Sequence, residues 1–137
     1  MRTLKKYTQD KPHKNEAGGI LLAQIKANNT YILRITLPNE FDKATRYSFN
    51  RNKKIAQIIA DYEFEHSGGR TVYIGEWHTH PEPNPTPSEQ DKKMIKEQFV
   101  LSKNIGPILL MLIQGTATTY IAIYNGKKLI EKKAVSL

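Results

Sequence analysis

The sequence predicts a single α+β domain, residues 1–137, in which helices pack against a mostly antiparallel or mixed central sheet. Three observations support this fold class. A chain of 137 residues is long enough for one hydrophobic core. Several short segments have the apolar periodicity of strands, and two longer ones have that of helices. The predicted order of three strands, a helix, a strand, a helix and three strands favours helices grouped on one sheet.

The first predicted elements are a β-hairpin and a short third strand. Residues 17–26 read as a strand, Asn28 and Asn29 supply a turn, and residues 31–37 alternate as the second strand. Residues 44–49 are predicted to form one further short strand.

Two amphipathic helices are predicted, over residues 51–66 and 89–101. Glycines 68 and 69 would end the first helix, and Ser88 would precede the second. The apolar positions of the first are Ile55, Ile58, Ile59 and Tyr62, and those of the second are Met94, Ile95 and Phe99.

The remaining predicted elements are strands. Residues 71–80 are apolar on both faces, with Val72 and Ile74 on one side and Tyr73 and Trp77 on the other, which indicates a central position in the sheet. Further strands are predicted over 107–113, 116–124 and 127–134, the last two joined by an Asn-Gly turn at 125–126.

Composition excludes several classes of function. Cysteine is absent, so a metal site must use histidines and carboxylates. The net charge of +8 suits acidic partners, but the lysines are scattered, which favours a solvated surface over a nucleic-acid interface. The first fifteen residues lack the apolar segment of a secretory signal, and the longest apolar run, 108–113, is too short to span a membrane. We therefore expect a cytoplasmic protein without a membrane partner.

Two histidines and an aspartate have the spacing of a metal centre. Side chains on a strand repeat with period two, so His78 and His80 would project from the same face. Asp91 lies just before the apolar stripe of the second helix and is expected to face inward, where a carboxylate needs a cation or strong donors. Because imidazole and carboxylate are the usual ligands of catalytic Zn²⁺, the three residues are predicted to bind zinc.

Simpler explanations compete with the metal centre. Ser88 and Asp91 have the spacing of a helix capping box, and an isolated His-x-His is more often structural than a ligand pair. The prolines at 81, 83, 85 and 87 make the connection between strand and helix stiff and exposed. Capping and metal binding are compatible at Asp91, and the conjunction of both motifs favours the metal site.

His78-Thr-His80, seven residues and then Ser88-x-x-Asp91 resemble the JAMM (JAB/MPN+) motif of zinc isopeptidases. The resemblance implies that two histidines and the aspartate bind zinc and that the serine helps to stabilise the oxyanion. It also implies a cytidine-deaminase-like α/β/α core from Glu16 onward. Residues 1–15 are then a short N-terminal extension, in which the family's long first helix is shortened or missing.

The resemblance also implies a catalytic base on an early strand. The segment Asn-Glu-Ala-Gly-Gly-Ile-Leu-Leu at 15–22 is similar to the family segment that carries this base, which assigns the role to Glu16. Glu16 would take a proton from the attacking water and deliver it to the leaving amine, while Ser88 stabilises the oxyanion. Glu76 competes for the role of base because it lies two residues before His78, on the same face of the strand.

The motif segments are most similar to those of the small bacterial JAB proteins of anti-phage operons, CBASS and the related ubiquitin-like (Bil) systems. This resemblance implies a deconjugating zinc metalloprotease that cuts after the C-terminal tail of a ubiquitin-like protein or of a cGAS-like nucleotidyltransferase, conjugated by E1/E2-like partners. Such a tail could add to an exposed strand edge near the site. Three alternatives remain: a JAB peptidase that processes a sulfur-carrier protein, a RadC-like DNA-associated protein, and a non-catalytic scaffold.

Overall fold

The computed structural model describes residues 2–102 and 107–132, which contain eight strands and three helices. The strands are β1 (Gly18–Lys26), β2 (Asn29–Ile35), β3 (Lys43–Thr45), β4 (Ser48–Asn50), β5 (Val72–Thr79), β6 (Leu109–Gln114), β7 (Thr119–Tyr124) and β8 (Leu129–Lys132). The helices are α1 (Arg2–Lys6), α2 (Lys53–His66) and α3 (Glu89–Leu101). None of the helices in the described residues has the length and apolarity needed to span a bilayer.

Six of the strands form one mixed sheet in the order β2-β1-β5-β6-β7-β8. Only β5 and β6 pair in parallel, and the other neighbours are antiparallel. Helix α3 lies in the connection between the two parallel strands, which require such a crossover. The predicted α+β class, with a mixed sheet, a central β5 and flanking helices, is confirmed. The end of the last predicted strand, 133–134, lies outside the described residues.

The two faces of the sheet are covered by different helices. On one face, α1 buries Leu4 against Trp77, and the ring of Tyr7 lies 5.7 Å from the ring of Trp77. On the other face, α2 packs on β1 through Ala56, and α3 packs on β6 through Ile95. Helix α1 has only five residues, so the first helix is short, as expected.

The apolar stripe predicted for α2 is partly wrong. Ile58 and Tyr62 are 59% and 54% exposed. The helix instead packs on the sheet through Ala56, Ile59 and Ala60. The small alanine side chains let the helix approach the bulky sheet residues closely, and a pattern that counts only large apolar residues misses this face.

The single strand predicted over residues 44–49 is also wrong, because the chain reverses within it. Strands β3 and β4 form a separate two-stranded sheet. The reversal is stabilised by Thr45, whose Oγ1 accepts a hydrogen bond from Tyr47 N at 3.2 Å and lies 2.8 Å from Ser48 Oγ. Tyr47 is 79% exposed at the tip of this hairpin. Threonine hydroxyls support such turns without the glycine or proline that would reveal them in sequence.

A bulge in β5 changes which residues share a face. The pairing of β1 with β5 shifts from Leu21–Gly75 to Leu22–Tyr73. Ile74 and Trp77 therefore pack in the same cluster, against the prediction that they lie on opposite faces. Glycine is required at the bulge, since a Cβ on Gly75 would lie 2.0 Å from Leu110 O.

Candidate active site

The two histidines of the motif project from the C-terminal end of β5. His78 is the penultimate residue of the strand, and the backbone N–H of His80 donates to Gln114 O at 3.0 Å. Extended pairing with the neighbouring strand therefore continues through His80. The two imidazole rings lie side by side, with their Nε2 atoms 3.1 Å apart.

Asp91 reaches the histidines from the first turn of α3. Ser88 is the N-cap of this helix, and its Oγ accepts a hydrogen bond from Asp91 N at 3.1 Å. Asp91 Oδ2 in turn accepts from Ser88 N at 2.9 Å, which completes a capping box. The same Oδ2 lies 3.1 Å from Nε2 of both His78 and His80. Capping thus fixes the carboxylate in the position from which it meets the imidazoles.

These three donor atoms fit a divalent metal ion. Two nitrogens bound to a tetrahedral Zn²⁺ at 2.0–2.1 Å are about 3.3 Å apart, close to the separations of 3.1 Å among the three atoms. The set of two imidazoles and one carboxylate is also that of a catalytic zinc site. The described residues therefore include a group that is positioned to bind a metal.

Glu16 brings a second carboxylate to the histidines. It precedes β1, and its N–H donates to Thr45 O at 2.8 Å, which ties it to the β3–β4 hairpin. Its side chain is 3% exposed, and Oε1 lies 3.4 Å from His80 Nε2. One ligand atom each from Glu16, His78 and His80 lie within 4.8 Å of one another, so Glu16 is within reach of the same ion. Asp91 Oδ2 is equally close to the Nε2 atoms of both imidazoles, at 3.1 Å.

Burial and neighbouring charges shift the pKa values of the site. Burial raises the pKa of Glu16 to about 7; His80 opposes this rise, and Asp91 adds to it. Burial alone would lower the pKa of His80, but hydrogen bonds to Asp91 and Glu82 raise it to about 9. Burial would raise the pKa of Asp91, but hydrogen bonds from His78 and His80 hold it well below its usual range. A carboxyl group with a pKa near 7 can both take and release a proton near neutral pH.

Glu76, the alternative base, is held in a buried ion pair. Arg51 Nε donates to both of its carboxylate oxygens at 3.0 and 2.9 Å, and Arg51 Nη2 donates to Oε1 at 2.8 Å. The Tyr73 hydroxyl donates to the same Oε1 at 2.7 Å. The side chains of Arg51 and Glu76 are 16% and 6% exposed. These bonds satisfy the carboxylate, so the arrangement favours a structural role for Glu76.

We expect Glu76→Gln to lower the free energy of unfolding by about 3–5 kcal/mol, because it leaves a buried guanidinium without its counter-charge. Chemical denaturation of the metal-free protein measures this loss. Glu89→Gln is the control, since the Glu89 side chain is 94% exposed and its removal is expected to cost less than about 1 kcal/mol. Equal losses in the two variants would contradict the structural role of the pair.

Ser88 and the candidate ligands face a common cavity of about 360 Å³. Since Ser88 Oγ accepts from Asp91 N, its own hydrogen remains available as a donor. The hairpin residues Tyr47, Ser48 and Phe49 line the same cavity. A larger cavity of about 510 Å³ between α2 and α3 is lined by none of Glu16, His78, His80 and Asp91.

Residues 4–125 match the family model described as prokaryotic homologs of the JAB domain. The chain belongs to this family. Proteins named CD-NTase/cGAS isopeptidase are similar over most of this chain. The relative from Pseudomonas aeruginosa is 32% identical over 92% of this chain and 79% of its own length. The relative from Escherichia coli is 33% identical over 97% of this chain and 84% of its own length. The relative from Vibrio cholerae is 31% identical over 73% of this chain and 62% of its own length.

A solved structure supports the same fold. The solution structure of a protein from Desulfitobacterium hafniense superposes with a TM-score of 0.65 at 21% identity, covering 98% of this chain and 85% of that one. The family match and the isopeptidase relatives make this JAB protein a hydrolytic enzyme of the isopeptidase type. Its Glu/His/His group is in position to bind a metal.

Sequence reasoning did not single out two further residues at the JAB site. Arg51 lines the cavity and pairs with Glu76, and Glu82 Oε1 lies 3.0 Å from His80 Nδ1. Arg51 precedes α2 and is remote from the motif in sequence, so no spacing rule indicates it. Glu82 does follow His80 by two residues, but the strand has ended by then and its periodicity no longer orients the side chain.

Proposed function

We propose that this chain is a zinc-dependent isopeptidase that hydrolyses the amide bond after the C-terminal residue of a conjugated protein. The observation that carries the proposal is the convergence of His78 Nε2, His80 Nε2 and Asp91 Oδ2 at mutual distances of 3.1 Å, with Glu16 3.4 Å from His80. Zinc is the metal that this donor set suits best among the common catalytic ions.

The proposed substrate is the C-terminal tail of a cGAS-like nucleotidyltransferase, because three relatives are named CD-NTase/cGAS isopeptidase. A ubiquitin-like protein with a similar tail is the related substrate. E1/E2-like proteins would form the conjugate, and the reaction would take place in the cytoplasm during anti-phage defence. Strand β4 pairs only with β3 among the described strands and borders the cavity, so an extended tail would add to its free edge.

In the proposed mechanism, His78, His80 and Asp91 hold the metal and Glu16 moves protons. When held by these residues, Zn²⁺ would supply Lewis acidity, that is, positive charge that favours a polarised carbonyl and an acidic water near neutral pH. Glu16 takes a proton from the attacking water and gives it to the departing amine as the C–N bond breaks. The Ser88 hydroxyl donates to the carbonyl oxygen as negative charge develops on it. The products are a free C-terminal carboxylate and the amine of the former partner.

The proposal is tested on a nucleotidyltransferase joined through its C-terminal residue to a lysine side chain. We expect cleavage directly after that residue, located by mass spectrometry. Removal of the metal by a chelator should lower the rate on the order of 10³-fold, since metal polarisation contributes several kcal/mol to catalysis. One equivalent of Zn²⁺ should restore the rate.

A conjugate that differs from the substrate only in the sequence of its C-terminal tail serves as the control and should not be cut. Full activity in the chelated enzyme would contradict the metal mechanism. Equal cleavage of both tails would contradict the assigned specificity, and failure to cut either conjugate after zinc loading would contradict isopeptidase action on this class of substrate.

A further inference from the structure

The proline-rich connection between β5 and α3 is fixed to the turn that follows β6. Thr116 N donates to Glu82 O at 2.9 Å, and Ala117 N and Thr118 N donate to Pro83 O at 3.1 and 2.9 Å. The contact is close enough to require a glycine in the turn, because a Cβ on Gly115 would lie 2.6 Å from Glu82 O. The prolines restrict the backbone further. The main chain of Glu82 is therefore held in place.

The side chain of Glu82 uses this fixed position to contact His80. Its Oε1 lies 3.0 Å from His80 Nδ1 and accepts a hydrogen bond from Thr86 N at 3.2 Å. The other ring nitrogen of His80, Nε2, faces His78 and Asp91. Because a carboxylate can only accept, Nδ1 carries a hydrogen toward Glu82. With a metal ion on Nε2 the ring would be neutral, and Nε2 would present its lone pair to the ion.

We propose that Glu82 is a positioning residue that holds His80 in the Nδ1–H tautomer, with Nε2 directed at the metal. The inference rests on the proposed metal centre and deepens it. Partners of this kind orient metal-binding histidines in other sites, and their loss typically lowers metal affinity 10–100-fold. This role of Glu82 also gives the proline-rich connection a function, because a flexible loop would not hold the carboxylate against the ring.

Glu82 could aid zinc binding by orienting His80 or through its negative charge, and these two effects predict different affinities for its variants. Its side chain is 46% exposed, so water screens the attraction between its charge and the metal. Orientation requires the reach of the side chain to Nδ1, which glutamine keeps and aspartate loses. We therefore expect Glu82→Asp and Glu82→Ala each to weaken zinc binding 10–100-fold, and Glu82→Gln to weaken it only a few-fold.

The experiment measures zinc affinity of the full chain by competition with a chromogenic chelator, in the wild type and the three Glu82 variants. Glu89→Gln, which changes an exposed carboxylate outside the metal site, is the matched control and should bind like wild type. The Nδ1–H proton of His80 in the zinc-loaded protein reports its hydrogen bond to Glu82. Its exchange with water should be slow in the wild type and fast in Glu82→Asp.

Each outcome decides the inference. Unchanged affinity in Glu82→Ala, or a large loss in Glu82→Gln with none in Glu82→Asp, would overturn the role in orientation while leaving the zinc isopeptidase intact. A wild-type chain that binds zinc but cuts no conjugate would overturn the proposed substrate and not this inference. A wild type that binds no zinc would overturn both. Thermal unfolding without metal identifies any variant whose affinity falls because it is unfolded.

Discussion

Glu16→Gln is expected to lower kcat/KM for the conjugate by about 10²–10⁴-fold, the usual contribution of a general base and acid. Glutamine has the size of glutamate but cannot take a proton from water. The backbone bond from residue 16 to Thr45 O is retained in the variant, so the fold and the position of the side chain should be preserved. Activity is measured on the isopeptide conjugate, together with zinc content and thermal stability.

The matched control for this experiment is Glu76→Gln. Both carboxylates are buried and 5% exposed as residues, but Glu76 is engaged by Arg51 and Tyr73, whereas Glu16 Oε1 lies 3.4 Å from His80 Nε2. Glu76→Gln should lose stability and keep its activity per folded molecule. In the opposite pattern, Glu16→Gln is active, and Glu76→Gln is folded and zinc-loaded but inactive. That result would show that the base has been assigned to the wrong residue.

The local motif was sufficient to predict that His78, His80 and Asp91 meet. His78, His80, Asp91 and Glu16 come together in the structure, and their individual roles remain predictions. The placement of His78, His80 and Asp91 follows from strand periodicity and helix capping, which depend only on neighbouring residues. Glu16 lies 62 residues before His78, and only the family resemblance could connect them. Its position depends on the pairing of β1 with β5, which no local pattern specifies.

The two mistakes in the predicted strands have local physical causes. At Gly75, one extra residue in β5 reverses the alternation of side chains. A prediction based on strict alternation does not include such a bulge. At Thr45, a hydroxyl stabilises a reversal that lacks glycine and proline. These two features also shape the site. The bulge fixes which face carries Glu76 and His78, and the hairpin that begins at β3 forms one wall of the cavity.

Asp91→Asn is expected to lower zinc affinity by about 10²-fold or more and to lower activity in proportion. Zinc binding to four ligands supplies about 10–16 kcal/mol, so one ligand contributes on the order of 3 kcal/mol, or about 10²-fold. Asparagine keeps an oxygen that can accept from Ser88 N, so the helix cap is retained while the charge is lost. Chelator competition gives the affinity, and helical circular dichroism checks the cap.

Ser88→Ala separates capping from metal binding at the same helix end. It removes the hydroxyl that accepts from Asp91 N and should cost about 1 kcal/mol of stability, yet it removes no ligand and should retain zinc. If Asp91→Asn also retained zinc with wild-type affinity, the third ligand would have to be Glu16, the other carboxylate within reach of both histidines. Glu16→Gln would then lose the metal instead of retaining it. The two substitutions at positions 16 and 91 therefore assign base and ligand together, because each carboxylate can fill only one of the two roles at a time.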